Sequence, residues 1–258
     1  MRLVAWTWTL VAAIALAASS AAALERGKTA VVTEVVDGDT VTLDDGRAVR
    51  LVGIQSPKLS LGRARVADQP LAKEAKGVLE ELVLGQRVTL FFGGATGDRH
   101  GRHLAHLRRD DDLWIQGELL RRGLARVYSF PDNRAEVAAM LGIEDEARQA
   151  RRGIWRLDYF RVRDAGDAGR FIGRFELVVG KVMSAATANG RTYLNFGADW
   201  KQDFTATISP RDRTSFRSGG IDPLTWDGRA IRVRGWIKSL NGPMIEVTHP
   251  EQVEVLDP

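Results

Sequence analysis

The chain has 258 residues, of which 44% are hydrophobic and 27% charged, and its formal net charge is only +4. That is room for two modest globular domains, each with its own core, and so small a charge makes no independent case for nucleic acid, which would have to be gripped by local clusters. Cysteine is absent, which excludes disulfides, a thiolate nucleophile and a thiolate zinc site.

At the N-terminus Arg2 precedes a mostly apolar run from Leu3 to Ala18, and small residues lead to Ala21-Ala22-Ala23. A charged start, an apolar stretch and an Ala-x-Ala site form the pattern of a secretory signal. Cleavage after Ala23 and a secreted or periplasmic mature protein are expected. The other reading, an uncleaved anchor, is weakened because the run is short for a span and rich in alanine. No later segment reaches spanning length, so no stable membrane span is expected once residues 1–23 are removed.

From Val31 to Lys58 two β-runs flank Asp45-Gly46, a type I′ hairpin signal. Asp37-Gly38-Asp39 interrupts the first run, and a glycine there predicts a bulge that re-aims a side chain. Asp39 and Arg50 then face one cleft, the outline of a phosphate site. Residues 59–69 read as an irregular loop carrying Arg63 and Arg65. Leu71, Ala75, Val78, Leu79, Leu82 and Val83 recur at helical spacing, with Gly85 as the stop. Arg87 to Phe92 and His103 to Arg108 read as strands. Asp112 is the expected N-cap of a helix over 113–122, and a longer helix is expected from Pro131 to about Arg151. His100, His103 and His106 form a spaced trio, but residues three apart on a strand face opposite ways. Convergence on zinc is therefore not expected, and His100 is placed at the rim of the cleft.

Residues 161–169 are charged, Gly/Ala-rich and without apolar spacing, and read as a linker. Beyond them the chain becomes all-β, with strand-like runs at 175–182, 191–196, 203–208, 230–237 and 244–248, and turn signals at Asn189-Gly190 and Asn241-Gly242. Five strands predict a second small barrel over 170–258, after a first domain over 24–160. Arg232 and Arg234 alternate with Val233 and so share a strand face. With Trp236 and Tyr193 they form a candidate nucleic-acid surface, although aromatics in so small a barrel serve as core more often.

Four stretches in order, Asp37-Gly38-Asp39-Thr40, Arg50-Leu51-Val52-Gly53-Ile54-Gln55-Ser56-Pro57, Asp98-Arg99-His100-Gly101-Arg102 and Gly153-Ile154-Trp155, resemble the thermonuclease (staphylococcal nuclease-like) family. The resemblance covers residues 30–155 and implies a β-rich α+β fold, an OB-type five-stranded barrel with three helices. The C-terminal part weakly resembles OB-fold nucleic-acid-binding modules. The family binds Ca²⁺ through an aspartate at the position of Asp39, a carboxylate at the position of Gln55 and the carbonyl of the residue at Ser56. A glutamate at the position of Lys58 serves as general base, and arginines at Arg50 and Arg102 hold the phosphate.

Here the second ligand is an amide and the base is a lysine, so the pocket is far more positive than the family's. Calcium wants several oxygen ligands with carboxylates among them, and a missing base removes a contribution of ~10²–10⁴ in rate. No working cofactor is expected, with Ca²⁺ remaining what the resemblance implies. Arg50, Arg102 and Lys58 around Asp39 then read as an anion grip. Three readings follow: a binder of single-stranded nucleic acid or another phosphodiester with a degenerate hydrolytic centre, an active metal-dependent phosphodiesterase with an altered site, and an envelope scaffold for protein or glycan. Within the second, Asp68 or Glu74 is a candidate base. A bland alternative is that Asp39 and Arg50 pair only to hold the barrel closed.

Overall fold

In the computed structural model, residues 24–62 and 67–256 are described; the expected signal segment, Arg63 and Arg65 lie outside them. The first half of the chain contains β1 (Glu25–Asp37), β2 (Thr40–Leu43), β3 (Ala48–Leu51), β4 (Gly53–Gln55), α1 (Ala72–Val83), β5 (Arg87–Phe92), β6 (His103–Arg109), α2 (Ile115–Arg121), β7 (Arg126–Tyr128) and α3 (Val137–Gln149). Strands β1, β2, β3, β6 and β5 close into a barrel in that order, the arrangement that removes exposed sheet edges. Its inward residues, among them Val32, Val41, Val49, Leu51, Leu90 and Leu107, pack against Ala75, Leu79 and Val83 of α1. Strands β4 and β7 form a separate antiparallel ribbon, with Gln55 opposite Arg126 and Gly53 opposite Tyr128.

The turns differ from expectation in ways that matter for the site. Asp37 pairs with Thr40 in the β1–β2 ladder, so Gly38 and Asp39 make a turn between two strands, and the register shift lies just before it, between Val35 and Asp37. A Cβ on Gly38 would lie 2.7 Å from Ser56 Oγ and 2.9 Å from Ala75 Cβ. Glycine is thus required by close approach, and that approach seats the turn between Ser56 and α1. At the next turn Gly46 has φ +82° while Asp45 stays at negative φ, so the loop is of three residues with a left-handed glycine, not type I′. Asp112 sits at φ +62° ahead of α2, whose N-cap is Trp114; it makes the preceding turn instead of capping. Helix α3 begins only at Val137, because Phe130 to Asn133 form their own bridged turn.

The second half contains β8 (Arg163–Asp164), β9 (Phe175–Lys181), β10 (Ser184–Ala188), β11 (Arg191–Asn195), β12 (Thr205–Ile208), α4 (Arg213–Ser218), β13 (Ala230–Ser239), β14 (Pro243–Val247) and β15 (Val253–Val255). They run β10-β11-β12-β14-β13-β9-β8, with β15 also on β13, and curl around a second core built on Phe204, Phe216, Ile231, Val233 and Ile245. The segment expected as a linker belongs to this layer: β8 pairs with β9, and Ala165 and Ala168 are buried in the second core.

A third cluster joins the halves, with Ala147, Ile154, Trp155 and Phe160 packed with Phe175 and Leu177. The basic stripe expected on β13 lies at this seam. Arg234 is 1% exposed and donates to Glu144 at 2.7 Å, Glu254 at 2.6 Å and the carbonyl of Val127 at 3.2 Å. Arg232 donates to Glu254 at 2.7 Å. The two alternate on one strand face, and that face meets the first half of the chain through Glu144, Val127 and the Glu254–Arg148 pair instead of solvent. Among the described residues no helix is long and apolar enough to cross a membrane.

Candidate phosphate-binding site

Asp39 is fully buried at the tip of the β1–β2 turn, and apart from the adjacent Thr40 hydroxyl at 3.4 Å its donors come from neighbouring segments. Ser56, just past β4, gives its backbone N–H at 2.8 Å and its hydroxyl at 3.0 Å to Oδ2. Lys58 Nζ donates to both carboxylate oxygens, at 2.8 and 2.6 Å, and Arg50 Nη1 lies 3.2 Å from Oδ1. Burial by itself would raise the pKa of this carboxyl. The charges of Arg50 and Lys58 with the Ser56 N–H outweigh it and hold Asp39 well below the usual carboxylate range. Asp37, missed in the sequence reading, accepts the Asp39 N–H at 3.0 Å and stands 3.7 Å from Lys58 Nζ. Its own pKa is raised by burial and by the adjacent Asp39 charge.

Arg50 is committed largely to its own surroundings. Nη1 donates to the carbonyls of Leu51 at 2.8 Å and Asp39 at 3.2 Å, and Nη2 to that of Ile54 at 2.6 Å. It therefore organises the β3–β4 corner as well as lining the cleft. Gln55 faces a different partner, Arg126 of β7, whose Nε and Nη2 donate to Oε1 at 3.2 and 2.9 Å. Arg126 lies over the Phe175 ring at 4.7 Å, and burial pushes its pKa down to about 10 against the opposing pull of Glu176 and Glu144. Nothing local in the sequence announces this pair; only the β4–β7 register creates it.

The donor set does not fit calcium. The two carboxylates, Asp39 and Asp37, both face the Lys58 ammonium, the amide at position 55 is held by a guanidinium, and among the described residues no three His, Asp or Glu side chains converge to hold a metal. Lys58 also cannot serve as the base while its ammonium donates to Asp39. Asp68 is held by the Ser60 N–H at 2.7 Å, and Glu74 is exposed in the first turn of α1.

Beside this buried cluster opens a cleft of about 530 Å³, lined by Arg50, His100, Arg102, Tyr128 and Phe130 among others. Arg102 is held by Asp98, with Nε at 2.8 Å and Nη2 at 2.7 Å, and its Nη1 reaches Thr40 Oγ1 at 3.5 Å. One edge of the guanidinium is thereby fixed while the side chain stays about a third exposed. His100 is exposed in the lining, and Arg99 Nε donates to its Nε2 at 3.2 Å. His106 is buried against Trp114, where burial, then Arg108, pushes it down to about 4. The trio does not meet. Tyr128 and Phe130, in edge-to-face contact at 4.9 Å, were not singled out from sequence, although a Tyr-x-Phe alternation leaving a strand offered the signal. Of the proposed second-domain surface, Trp236 reaches Tyr128 and Tyr193 lies on another groove.

A closed five-stranded barrel with packed helices and two arginines converging on a cleft is the architecture of a nuclease-like OB barrel. Residues 48–157 match the family described as Staphylococcal nuclease homologue. The chain is 32% identical over 133 residues to the thermonuclease of Staphylococcus intermedius, covering 50% of this chain and 77% of that protein. It is 32% identical over 127 residues to an uncharacterized endonuclease of Escherichia coli O157:H7, covering 48% of this chain and 74% of that one. A staphylococcal-like nuclease of Arabidopsis thaliana is 35% identical over 107 residues, 29% of its own length. The chain belongs to the staphylococcal nuclease homologue family, whose function is nucleic-acid-related phosphodiester chemistry.

Proposed function

We propose that this protein binds single-stranded nucleic acid, or another phosphodiester, in the Arg50–Arg102 cleft without calcium-dependent hydrolysis, and that it does so outside the cytoplasm. One observation carries the reading: Lys58 Nζ sits 2.6 and 2.8 Å from the Asp39 oxygens, so an internal cation stands against the carboxylate to which the family's metal would bind. The positive charge is retained, but it brings no bound water and no base. Arg102, fixed by Asp98, offers its remaining edge to a phosphate oxygen, and Tyr128 and Phe130 offer ring faces to a base. Export is supported by the charged, apolar and Ala-x-Ala order of residues 1–23; N-terminal sequencing of the mature protein should begin at Leu24.

The test is binding and hydrolysis of denatured DNA and RNA with calcium, magnesium, manganese or chelator. The expected result is binding that weakens as salt rises, with a log–log slope of about −1 to −2 for two phosphate contacts, and no metal-dependent turnover. Turnover abolished by Asp39→Ala would overturn it. A second reading, hydrolysis by an altered site, is favoured by His100, an imidazole in the cleft lining; turnover that persists in chelator and is lost in His100→Gln would support it. Absence of binding at low salt would favour the scaffold.

A further inference from the structure

Strand β13 carries Arg232, Arg234, Trp236 and Lys238 at every second position, so all four share one face. The first two are consumed at the seam between the halves. Trp236 emerges beyond them, 46% exposed, and donates its indole N–H to the Tyr128 hydroxyl at 3.0 Å. Tyr128 lines the two-arginine cleft, with the half-exposed Phe130 on its other side. Lys238, the next residue on the same face, lines a second groove of about 720 Å³. The ladder continues that face outward: Lys238 pairs with Met244, Met244 with Thr205, and Thr207 with both Glu246 and Tyr193.

The groove contains Arg191, Tyr193, Trp200, Lys238, Leu240 and Glu246. Trp200 is 53% exposed, with Lys201 Nζ 5.5 Å from its ring. Arg191 and Lys238 both reach Glu246, at 3.5 and 2.9 Å. Two cations against one carboxylate leave the groove with a positive balance, bordered by rings that stack on any base.

Building on the binding function proposed above, we propose that a single strand held at the Arg50–Arg102 cleft continues over Trp236 into the groove on the second sheet, making the C-terminal half a strand-binding extension. Continuity with the cleft selects the occupant. A ligand recognised only in the groove would not need a ring at the cleft rim bonded to Tyr128. Because Glu246 neutralises one cation, most of the grip in the groove comes from stacking, each ring contributing about tenfold in affinity.

The experiment compares a thymidine dinucleotide with an oligothymidylate of about twelve nucleotides, a length in the range that such folds occupy, by fluorescence anisotropy at low salt. The longer probe should bind at least about tenfold more tightly. Trp236→Ala and Trp200→Ala should each remove about tenfold from the longer probe and leave the dinucleotide unchanged. Trp236→Phe, which keeps a ring but loses the bond to Tyr128, should retain most of the advantage. Glu246→Gln should strengthen long-probe binding and steepen its salt dependence, a gain that a purely structural role would not produce. Equal affinity for the two probes, loss of both together in Trp236→Ala, or no effect of Trp200→Ala would overturn the extension while leaving the cleft as a binding site. Failure of both probes to bind would overturn the cleft reading as well.

Discussion

Lys58 and Asp39 form an ion pair with one buried and one partly exposed end, and the consequences can be read one side chain at a time. Asp39 has no solvent exposure, whereas the Lys58 side chain is 32% exposed, so the two ends of the pair differ in what their removal costs. Lys58→Ala leaves Asp39 with Ser56 and Arg50 as partners and should lower stability by about 1 kcal/mol, since solvent screens the exposed end. Asp39→Asn leaves Arg50 without its carboxylate and Lys58 with only Asp37, 3.7 Å away, as counter-charge, and should cost about 3 kcal/mol. Urea midpoints at unchanged slope measure both. Asp39 is held below its ordinary pKa, so its contribution is present above the unfolded carboxylate value and is lost as pH falls through the folded one; Lys58→Ala should move that loss to higher pH. Restoring both acids, Gln55→Asp with Lys58→Glu, should give calcium binding by titration calorimetry where the parent shows none. Equal heats from the two proteins would mean that the Arg126-held geometry, not charge, excludes the ion.

Single elements decide where those side chains stand, and they were not equally legible. Helix α1 and strand β11 follow from apolar spacing, because each buries one regular face, whereas β5 and β9 follow as short apolar runs buried on both faces. The Asn189-Gly190 turn has φ +50° and +76°, as a two-residue hairpin requires. Strands β4 and β7 are three residues each, too short for any period, and β7 exists because it pairs with β4 and docks on α3. Arg126 and Tyr128 of the site were hidden with it. Strand β10 was hidden for another reason: its Ser-Ala-Ala-Thr-Ala sequence is largely exposed and has no buried alternation to detect. The Asp37–Thr40 turn was found but misread, since a glycine that permits close approach looks the same in sequence as one that permits a bulge. The distinction is testable. Gly38→Ala must displace Ser56 or α1 and should cost about 2 kcal/mol, with loss of the anion grip because Asp39 moves with the turn. Gly46→Ala meets no atom within 4 Å but must hold φ +82°, at about 1 kcal/mol and with binding intact.

At the scale of the molecule, polar groups from the two halves complete each other at the seam, which predicts that the halves unfold together. His249 is fully buried there. Thr248 Oγ1 donates to Gln252 Oε1 at 2.9 Å, which leaves it to accept from His249 Nδ1, and Nε2 of the neutral ring takes the Ser129 hydroxyl at 2.7 Å. Burial is what favours that neutral form. Burial pushes its pKa from 6.5 down to about 4, with Arg134 and Arg234 acting the same way and Glu251 and Asp212 opposing. In the unfolded chain it takes up a proton near 6.5 that the folded protein refuses until about 4, so stability must fall with pH through that window. A displacement of that size corresponds to about 3 kcal/mol per histidine, and His106, also at about 4, adds a comparable amount within the first barrel. Urea unfolding from neutral pH to below 4 should show one transition for both halves at neutral pH. Its free energy should drop by several kcal/mol on acidification. His249→Gln keeps a polar side chain at the seam but cannot titrate, and should remove about half of that drop. If the full acid dependence survives the substitution, His249 is not what couples the seam to protons. If two transitions appear at neutral pH, the Arg234–Glu144–Glu254 cluster and the Phe160–Phe175 core do not bind the halves into one unit.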